Sequence, residues 1–325
     1  MRPAVLLTGV GKRYDIVSAF AQHAFVVAAD PSPLAPAQYA ADVRVAPPRA
    51  DDPSYIPFLT QLVEEHDVKA VVPLTDLDLE VLAASDLPAF TPTADVCRAT
   101  FDKYLAHQLL EQHGLPSPPT WLPGDEPLHF PAVVEPRRGS GSRSIHPCDT
   151  PEEADFFARY VKEPVMVQRR MDGPEFSVDA LIDLDGRCLN AIPRTRLESR
   201  GGESIKGAAI ADPELIELGR AVAEALPLRG PATVQMFRDR ELGLRVTDIN
   251  ARFGGAFACP MYAAHTGRTY PELIVRMAQG ERIEPHVGEF LAGRTFTRFF
   301  WQIELDGDMQ PTGRDIVPDG PRRPT

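Results

Sequence analysis

A polar stretch at the end of an alternating segment places the strongest constraint on this chain. Residues 248–255 have the sequence Asp-Ile-Asn-Ala-Arg-Phe-Gly-Gly and complete an apolar–polar alternation that is typical of a β-strand. Asp248 and Asn250 are two positions apart, so on a strand their side chains leave the same face. Arg252 follows, and the glycine pair lets the backbone turn or approach a ligand closely. Two oxygen donors beside a fixed cation suit Mg²⁺ carrying polyphosphate, although an ordinary polar strand end capped by a loop is the alternative.

A second strand can bring a further oxygen to the same place. Residues 233–237 have the sequence Thr-Val-Gln-Met-Phe, an apolar run with a single amide at Gln235. If this strand pairs with the first one as a hairpin, Gln235 lies beside Asp248 on one face of the sheet. The sequence therefore predicts a hairpin that gathers three oxygen donors.

Composition limits the class of protein and the kind of partner. The 325 residues carry a formal net charge of −12, which argues against nucleic acid or an anionic membrane as the main partner. The four cysteines, at positions 97, 148, 188 and 259, form no close-spaced pair and indicate reduced thiols. We identify no secretory leader and no apolar run long enough to span a bilayer, so we expect a cytoplasmic protein of two or three domains.

The first 92 residues alternate between apolar strands and helical patterns, which predicts a parallel, doubly wound sheet. The predicted strands are Ala4–Leu7, Phe25–Ala29, Val43–Val45 and Val68–Val72. After the last strand, Thr75 and Asp76 are expected to cap the next helix. A dinucleotide site is disfavoured because Tyr14 stands where the third glycine of that motif is due. A glycine turn that contacts an anionic substrate fits this edge of the sheet better.

Residues from 93 onward have a different pattern. Residues 93–113 predict one helix, and residues 130–136 predict a strand that ends at a proline. The loop that follows, residues 137–144, is rich in glycine and serine and flanked by arginines, which suits phosphate oxygens. The alternative for this loop is a mobile β-turn with solvated charges. Further on, Asp185–Gly186 predicts a second hairpin, and Arg194, Arg196 and Arg200 predict a cationic cluster.

Six motifs stand in an order and spacing that resemble the ATP-grasp superfamily. They are Asp102–Lys103 with Gly114–Leu115–Pro116, residues 135–142 (Glu-Pro-Arg-Arg-Gly-Ser-Gly-Ser), residues 173–179 (Gly-Pro-Glu-Phe-Ser-Val-Asp), residues 201–204 (Gly-Gly-Glu-Ser), residues 230–235 (Gly-Pro-Ala-Thr-Val-Gln) and residues 248–252. Within that superfamily they are similar to the branch of the carbamoyl-phosphate synthase large subunit. The resemblance implies an α/β fold, α+β in its C-terminal half, in which ATP is clamped between a small lid and a central antiparallel sheet.

The resemblance also implies a division into four parts. Residues 1–92 would form a Rossmann-like pre-ATP-grasp domain, and residues 93–168 the lid subdomain with its preceding helix and linker. Residues 169–305 would form the catalytic subdomain, and residues 306–325 a tail on the surface.

Site residues follow from the resemblance position by position. Gln235, Asp248 and Asn250 resemble the Mg²⁺ ligands, and Arg252 resembles the arginine beside the transferred phosphoryl group, with Arg196 as a second catalytic candidate. The residues expected to bind ATP are Lys103, Glu135, Arg137, Gly139, Ser140, Gly141, Ser142, Gln168, Arg169, Met171, Glu175 and Gln235.

Several positions depart from the pattern of the superfamily. Glu135 stands where relatives have a cation, Arg169 where an acid is usual, Asp248 where glutamate is usual and Ala251 where proline is usual. A carboxylate at position 135 would repel ATP phosphates by about 4 kcal/mol per charge pair at 4 Å and an effective dielectric near 20. We therefore expect either that Arg137 or Arg138 neutralises Glu135 or that nucleotide binding is weak.

The resemblance implies a ligase that phosphorylates a small carboxylate with MgATP and lets an amine or similar nucleophile displace the phosphate. A variant that releases the acyl phosphate is a sub-case. One alternative is a nucleotide-binding protein without turnover, and another is an unrelated metal or sugar-phosphate enzyme. We expect no nucleic-acid or membrane partner, and a homodimer is one expectation for the assembly.

Overall fold

The computed structural model describes residues 2–125, 129–139, 141, 144–201, 203–255, 268–299 and 302–313. Its N-terminal part contains the parallel sheet that the sequence predicts. The strands are β1 (Ala4–Thr8), β2 (Phe25–Ala29), β3 (Val43–Val45) and β4 (Val68–Pro73). They lie in the order β3-β2-β1-β4. The helices are α1 (Tyr14–Ala21), α2 (Tyr55–Glu65) and α3 (Leu79–Ala83). Every residue of β1 is buried, because helices cover both faces of a parallel sheet.

The single helix predicted over residues 93–113 is wrong, since the structure divides it into α4 (Ala94–Phe101) and α5 (Lys103–Gln112). Asp102 between them has an extended backbone, and its carboxylate accepts hydrogen bonds from the N–H groups of Tyr104 and Leu105 at 3.2 and 3.3 Å. An aspartate in this position caps the orphan N–H groups of a new helix. The break places Lys103 in the first turn of α5.

The region predicted to form the lid contains an antiparallel sheet of four strands. The strands are β5 (Thr120–Trp121), β6 (Ala132–Pro136), β7 (His146–Cys148) and β8 (Val165–Arg169), and they lie in the order β5-β8-β6-β7. Helix α6 (Pro151–Tyr160) covers one face and begins after Thr150, whose hydroxyl accepts a hydrogen bond from the Glu153 N–H at 3.3 Å. Threonine is among the residues favoured at this capping position.

The central sheet is antiparallel, in the order β10-β9-β13-β14. Its strands are β9 (Glu175–Ile182), β10 (Cys188–Thr195), β13 (Gly230–Asp239) and β14 (Gly243–Asn250). Both predicted hairpins are therefore present. Helix α7 (Pro213–Ala225) packs closely on β9, because a Cβ at Gly219 would lie 2.6 Å from Val178 Cγ1. A small fourth sheet contains β11 (Glu198–Arg200), β12 (Glu203–Ala208) and β15 (Thr295–Thr297).

One core joins the N-terminal domain to the central sheet. Phe20 of α1 meets Phe253 edge to face with ring centroids 6.2 Å apart, and both belong to a buried cluster that includes helix α8 (Tyr270–Ala278). The buried Tyr270 hydroxyl donates to the Asp179 carbonyl at 2.9 Å. Helix α1 is thereby packed against the segment that follows β14.

Three further sequence expectations meet the structure outside this core. Cys97, Cys148 and Cys188 are free and buried, whereas Cys259 lies outside the described residues. Over the ranges given above, no helix has both the length and the apolar character needed to cross a bilayer. The beginning of the predicted tail contacts the N-terminal domain, since Arg44 Nη2 donates to Gln310 Oε1 at 2.6 Å.

Candidate active site

A cavity of about 1090 Å³ lies between the lid, the central sheet and the loops of the N-terminal domain. The described residues that line it include nine lysine or arginine side chains and five glutamate or aspartate side chains. This excess of cations occurs in a chain whose formal net charge is −12. The local field therefore favours an anionic ligand.

The predicted metal donors lie together on the wall that β13 and β14 form. Gln235 is directly opposite Asp248, and the register of the two strands shifts immediately after Gln235. Asn250 Nδ2 donates to Asp248 Oδ2 at 2.8 Å. A local bulge of this kind re-aims side chains, and here it accompanies three oxygen donors of the type that Mg²⁺ prefers.

This donor set carries a single carboxylate and two amides. Within the described ranges no group of three or more His, Cys, Asp or Glu side chains could hold a metal ion. A dication held by one carboxylate keeps most of its charge, so the set fits Mg²⁺ that also binds phosphate oxygens rather than a metal caged by protein alone.

Arg252 stands beside these donors with only 11% of its side chain exposed. Its Nη2 donates to Asn250 Oδ1 at 3.0 Å and forms a very short contact with the Asp76 carboxylate. The prediction that Thr75 and Asp76 cap the next helix is wrong, since α3 begins after Asp78. The Asp76 side chain is paired with Arg252 across the domain junction instead.

Glu135 is compensated in a way that differs from the expectation. Lys103 Nζ lies 3.7 Å from Glu135 Oε2, and both side chains are largely buried. Arg137 makes two contacts to Asp102, at 2.8 and 2.9 Å, and Arg138 lies 3.6 Å from the same carboxylate. The two arginines are therefore occupied by the helix-capping aspartate, which leaves Lys103 as the cation beside Glu135.

Burial and charge act on Glu135 in opposite directions. Loss of solvent raises the pKa of Glu135, the Lys103 ammonium opposes that shift, and the negative charge of Asp248 adds to it. The net result is a pKa above the ordinary value of a glutamate. The Glu135 carboxyl is thus electrostatically linked to the metal-donor wall.

The predicted residues of β8 and the following turn also reach the cavity. Gln168, Arg169 and Met171 line it. Gln168 Nε2 donates to Thr120 Oγ1 at 2.9 Å, and Arg169 pairs closely with Glu241 of the turn between β13 and β14. An acid from that turn therefore lies beside the arginine that departs from the pattern of the superfamily.

Glu175 and Arg196 form an ion pair of 3.0 Å on the cavity wall. Burial raises the pKa of Glu175 and lowers the pKa of Arg196, each partly offset by the charge of the partner. Arg194, the first residue of the predicted cationic cluster, is buried and bound to Asp179 at 2.6 Å, whereas Arg200 is exposed at the cavity. Arg194 and Arg196 are therefore paired with acids, and Arg200 is the member of the cluster that faces solvent.

The glycine-rich loop lies over this cavity. Gly139 and Gly141 line it at φ values of +140° and +78°, a backbone region that favours glycine. Lys103 Nζ donates to the Gly139 carbonyl at 3.2 Å. The predicted ATP contacts at Ser140 and Ser142 lie outside the described residues.

Sequence reasoning missed one set of charges at the cavity rim. Lys12 of the first glycine turn bonds Glu203 at 2.7 Å, and Arg298 contacts the same carboxylate at 3.2 Å. Burial alone would raise the pKa of Glu203, but the hydrogen bonds and charges of these two cations lower it overall. The first two residues are 191 positions apart, so no local pattern in the sequence could have paired them.

Comparison with family models identifies the architecture around this cavity. Residues 161–294 match the model described as ATP-grasp in the biosynthetic pathway with Ter operon. This part of the chain is an ATP-grasp domain. Residues 5–89 match the model described as PylC-like, N-terminal domain. Both matched regions contribute residues to the cavity wall. Comparison with curated protein sequences gives no match.

Solved structures with the ATP-grasp fold align with most of the chain. The biotin carboxylase domain dimer of Hydrogenobacter thermophilus 2-oxoglutarate carboxylase, in complex with MgADP, ADP and bicarbonate, aligns with a TM-score of 0.69 at 17% identity, over 90% of this chain and 73% of that chain. L-amino acid ligase from Bacillus licheniformis aligns at 0.68 and 19% identity, over 90% and 78%. N5-carboxyaminoimidazole ribonucleotide synthetase from Thermotoga maritima aligns at 0.67 and 18% identity, over 89% and 78%. At such identities the likeness establishes the fold.

Proposed function

We propose that this protein is a ligase that uses MgATP to activate a carboxylate as an acyl phosphate. An amine or similar nucleophile then displaces the phosphate, which yields ADP, phosphate and the ligated product. The observation that carries the proposal is the arrangement of Gln235, Asp248 and Asn250 beside Arg252 in a cavity with an excess of cations. The MgADP in the biotin carboxylase neighbour supports ATP and Mg²⁺ as the ligands.

The chemistry explains why such a site needs these groups. A free carboxylate is a poor acylating agent because its leaving group would be an oxide. The γ-phosphoryl group moves to a carboxylate oxygen as its bond to the β-phosphate oxygen breaks and ADP leaves, which makes phosphate the later leaving group. Negative charge lies on the oxygens of the transferred group during this step. Mg²⁺ held by the donor set would offset the charge of the phosphate oxygens, and Arg252 would donate hydrogen bonds to the phosphoryl group during its transfer.

The remaining predicted residues divide between the two ends of the nucleotide. In this proposal Lys103 and the glycine-rich loop bind phosphates, because both lie at the same part of the cavity. Gln168, Arg169 and Met171 hold the adenine, and Glu175 lies near the ribose with Arg196 as its partner. The carbamoyl-phosphate synthase-like branch is part of the proposal and rests on the six sequence motifs.

A nucleotide-binding role without turnover is the second candidate, and Glu135 favours it. Its carboxylate lines the cavity beside Lys103, and the negative charge of Asp248 helps to raise its pKa. When ionised, it would repel the phosphates that the proposal places there. In the ligase proposal, Lys103 at 3.7 Å offsets much of its charge. Turnover separates the two candidates, whereas nucleotide binding alone does not.

The test is ADP formation by the purified chain with MgATP, a panel of small carboxylic acids and hydroxylamine as the trapping nucleophile. The ligase proposal predicts that some acids stimulate ADP release and yield the matching hydroxamate in equal amount. Asp248→Asn should remove both signals, whereas Asp185→Asn, on the exposed turn between β9 and β10, should keep them. Nucleotide binding without acid-dependent ADP release from any member of the panel would favour the second candidate.

A further inference from the structure

Two loops of the N-terminal domain hold the segment that follows β14. Asp76 accepts from Arg252, and Arg13 donates to the Gly254 carbonyl oxygen. These contacts join residues 176 and 241 positions apart, so they depend on how the two halves of the chain pack. The Asp76 and Arg252 side chains are 16% and 11% exposed, which limits screening of their attraction by salt.

The loop that carries Asp76 is itself fixed at both ends. Gly9 has a φ of +57°, and a Cβ there would lie 2.3 Å from Thr75 Cγ2, so the loop presses on the glycine turn. Two residues after Asp76, the carboxylate of Asp78 accepts a hydrogen bond from the Tyr55 hydroxyl at 2.7 Å. The fixed loop restricts the position of the Asp76 carboxylate, and this in turn restricts the position of the arginine that is paired with it.

The same Arg252 nitrogen that contacts Asp76 also meets the metal-donor wall. Nη2 reaches Asn250 Oδ1 at 3.0 Å, and Nη1 donates to the Phe253 carbonyl at 2.8 Å. A free arginine side chain samples many rotamers, and ordering it during the reaction opposes catalysis. The contact with Asp76 orders this side chain before any substrate binds.

We propose that Asp76 is a positioning residue, which holds Arg252 in the orientation that the transferred phosphoryl group requires. The inference rests on the proposed ligase function, and Asp76 itself does not line the cavity among the described residues. Asp76→Asn keeps the size of the side chain and removes its charge. It should lower kcat by about 10- to 100-fold and leave the KM for MgATP within about twofold. Asp76→Glu, which restores the charge, should recover part of kcat.

A matched control is available in the same region. Glu80 of α3 accepts from Arg98 at 2.8 Å, which makes a similar acid–arginine pair that faces solvent. Glu80→Gln should leave kcat and KM unchanged. Equal loss of kcat in Glu80→Gln and Asp76→Asn, or wild-type kcat in Asp76→Asn, would overturn the inference.

A binding measurement tests the inference without turnover. Aluminium fluoride added to MgADP mimics the phosphoryl group during its transfer, so it should tighten MgADP binding to the wild type and to Glu80→Gln. In Asp76→Asn the increase in MgADP affinity caused by aluminium fluoride should be at least about tenfold smaller. The affinity of this variant for MgADP alone should be that of the wild type. Retention of the whole gain in Asp76→Asn would contradict the inference.

Crystal structures separate a failure of this inference from a failure of the proposed function. If no acid stimulates ADP release in the wild type, the ligase proposal fails by itself. The inference is then decided by the side chain of Arg252, which should leave Asn250 in Asp76→Asn and remain there in Glu80→Gln. An unmoved Arg252 in Asp76→Asn would overturn it.

Discussion

Gln235 and Asp248 face each other across the antiparallel pair of β13 and β14, at the point where the ladder register shifts. Directly opposed residues in such a pair project from the same face of the sheet. Asn250 extends the set by donating to Asp248 at 2.8 Å. A feature of only two strands thus gathers all three proposed metal ligands.

Asp248→Ala should abolish Mg²⁺-dependent turnover because it removes the only carboxylate of the proposed donor set. The side chain is half-buried at the end of a strand and faces the cavity, so the fold should survive its loss. Melting temperature and Mg²⁺-dependent ADP release measure the two effects together. Near-normal turnover in the variant would refute the metal assignment.

Glu135→Gln should tighten MgATP binding by about three- to tenfold. A carboxylate about 8 Å from a phosphate charge costs about 2 kcal/mol at an effective dielectric near 20, and Lys103 offsets part of this. The raised pKa of Glu135 adds a pH signature. As pH falls through that pKa the wild type loses the repelling charge, so its affinity should approach that of the variant.

Isothermal titration with MgATP at several pH values measures this convergence. Glu135→Lys should also bind at least as tightly as the wild type. If either variant binds much more weakly than the wild type, Glu135 itself contributes to binding, for example by contact with a second cation or a substrate amine.

Asp78 should make stability depend on pH in mildly acidic solution. Burial raises the pKa of this carboxyl from 3.8 to about 6, so the folded protein binds its proton more tightly than the unfolded chain does. The contribution of Asp78 to stability is therefore present below about pH 4 and is lost as pH rises through about 6. The difference amounts to about 3 kcal/mol of unfolding free energy.

Asp78→Asn removes this titration and retains an acceptor for the Tyr55 hydroxyl. Urea unfolding at pH 4 and pH 7 should show the wild type losing about 3 kcal/mol relative to the variant. Asp185→Asn serves as the exposed control. Parallel pH dependence in the wild type and Asp78→Asn would show that the carboxyl does not titrate in this range.

The loop over residues 137–144 should exchange its amide hydrogens rapidly without nucleotide and slowly with it. Among the described residues its anchors include the Arg137–Asp102 pair, the hydrogen bond from the Arg137 N–H to the Pro164 carbonyl and the Lys103 contact to Gly139. Phosphate oxygens would add further partners for N–H groups of the loop. Hydrogen–deuterium exchange with and without a non-hydrolysable ATP analogue measures the change. Unchanged exchange at saturation would exclude a lid role.

Local sequence patterns predict much of this fold because short-range chemistry determines it. The buried run Phe25–Ala29 and the cap at Thr150 need only their neighbours to be recognised. The break at Asp102 was missed because the apolar periodicity continues across it, although aspartate is a favoured residue at helix starts. A search for such caps within long helical patterns would have found it.

Distant pairs could not be predicted in this way. Nothing near Asp76 in the sequence indicates Arg252, and nothing near Glu135 indicates that Lys103 rather than Arg137 is its partner. Each pairing depends on how distant parts of the chain pack together. The partner of Glu135 depends also on Asp102, which pairs with Arg137. The described candidate residues other than Arg137 line the cavity, whereas several of their partners could not be predicted from the sequence.

The origin of the oxygen in the released phosphate tests the central claim most directly. The purified chain is given MgATP and a pool of unlabelled carboxylic acids and amines in H₂¹⁸O, and the phosphate is analysed by ³¹P NMR. Transfer through an acyl phosphate gives acid-dependent phosphate whose fourth oxygen comes from the carboxylate, so it carries no ¹⁸O. Phosphate that carries ¹⁸O, or the absence of acid-dependent phosphate from a chain that binds MgATP, would contradict the account.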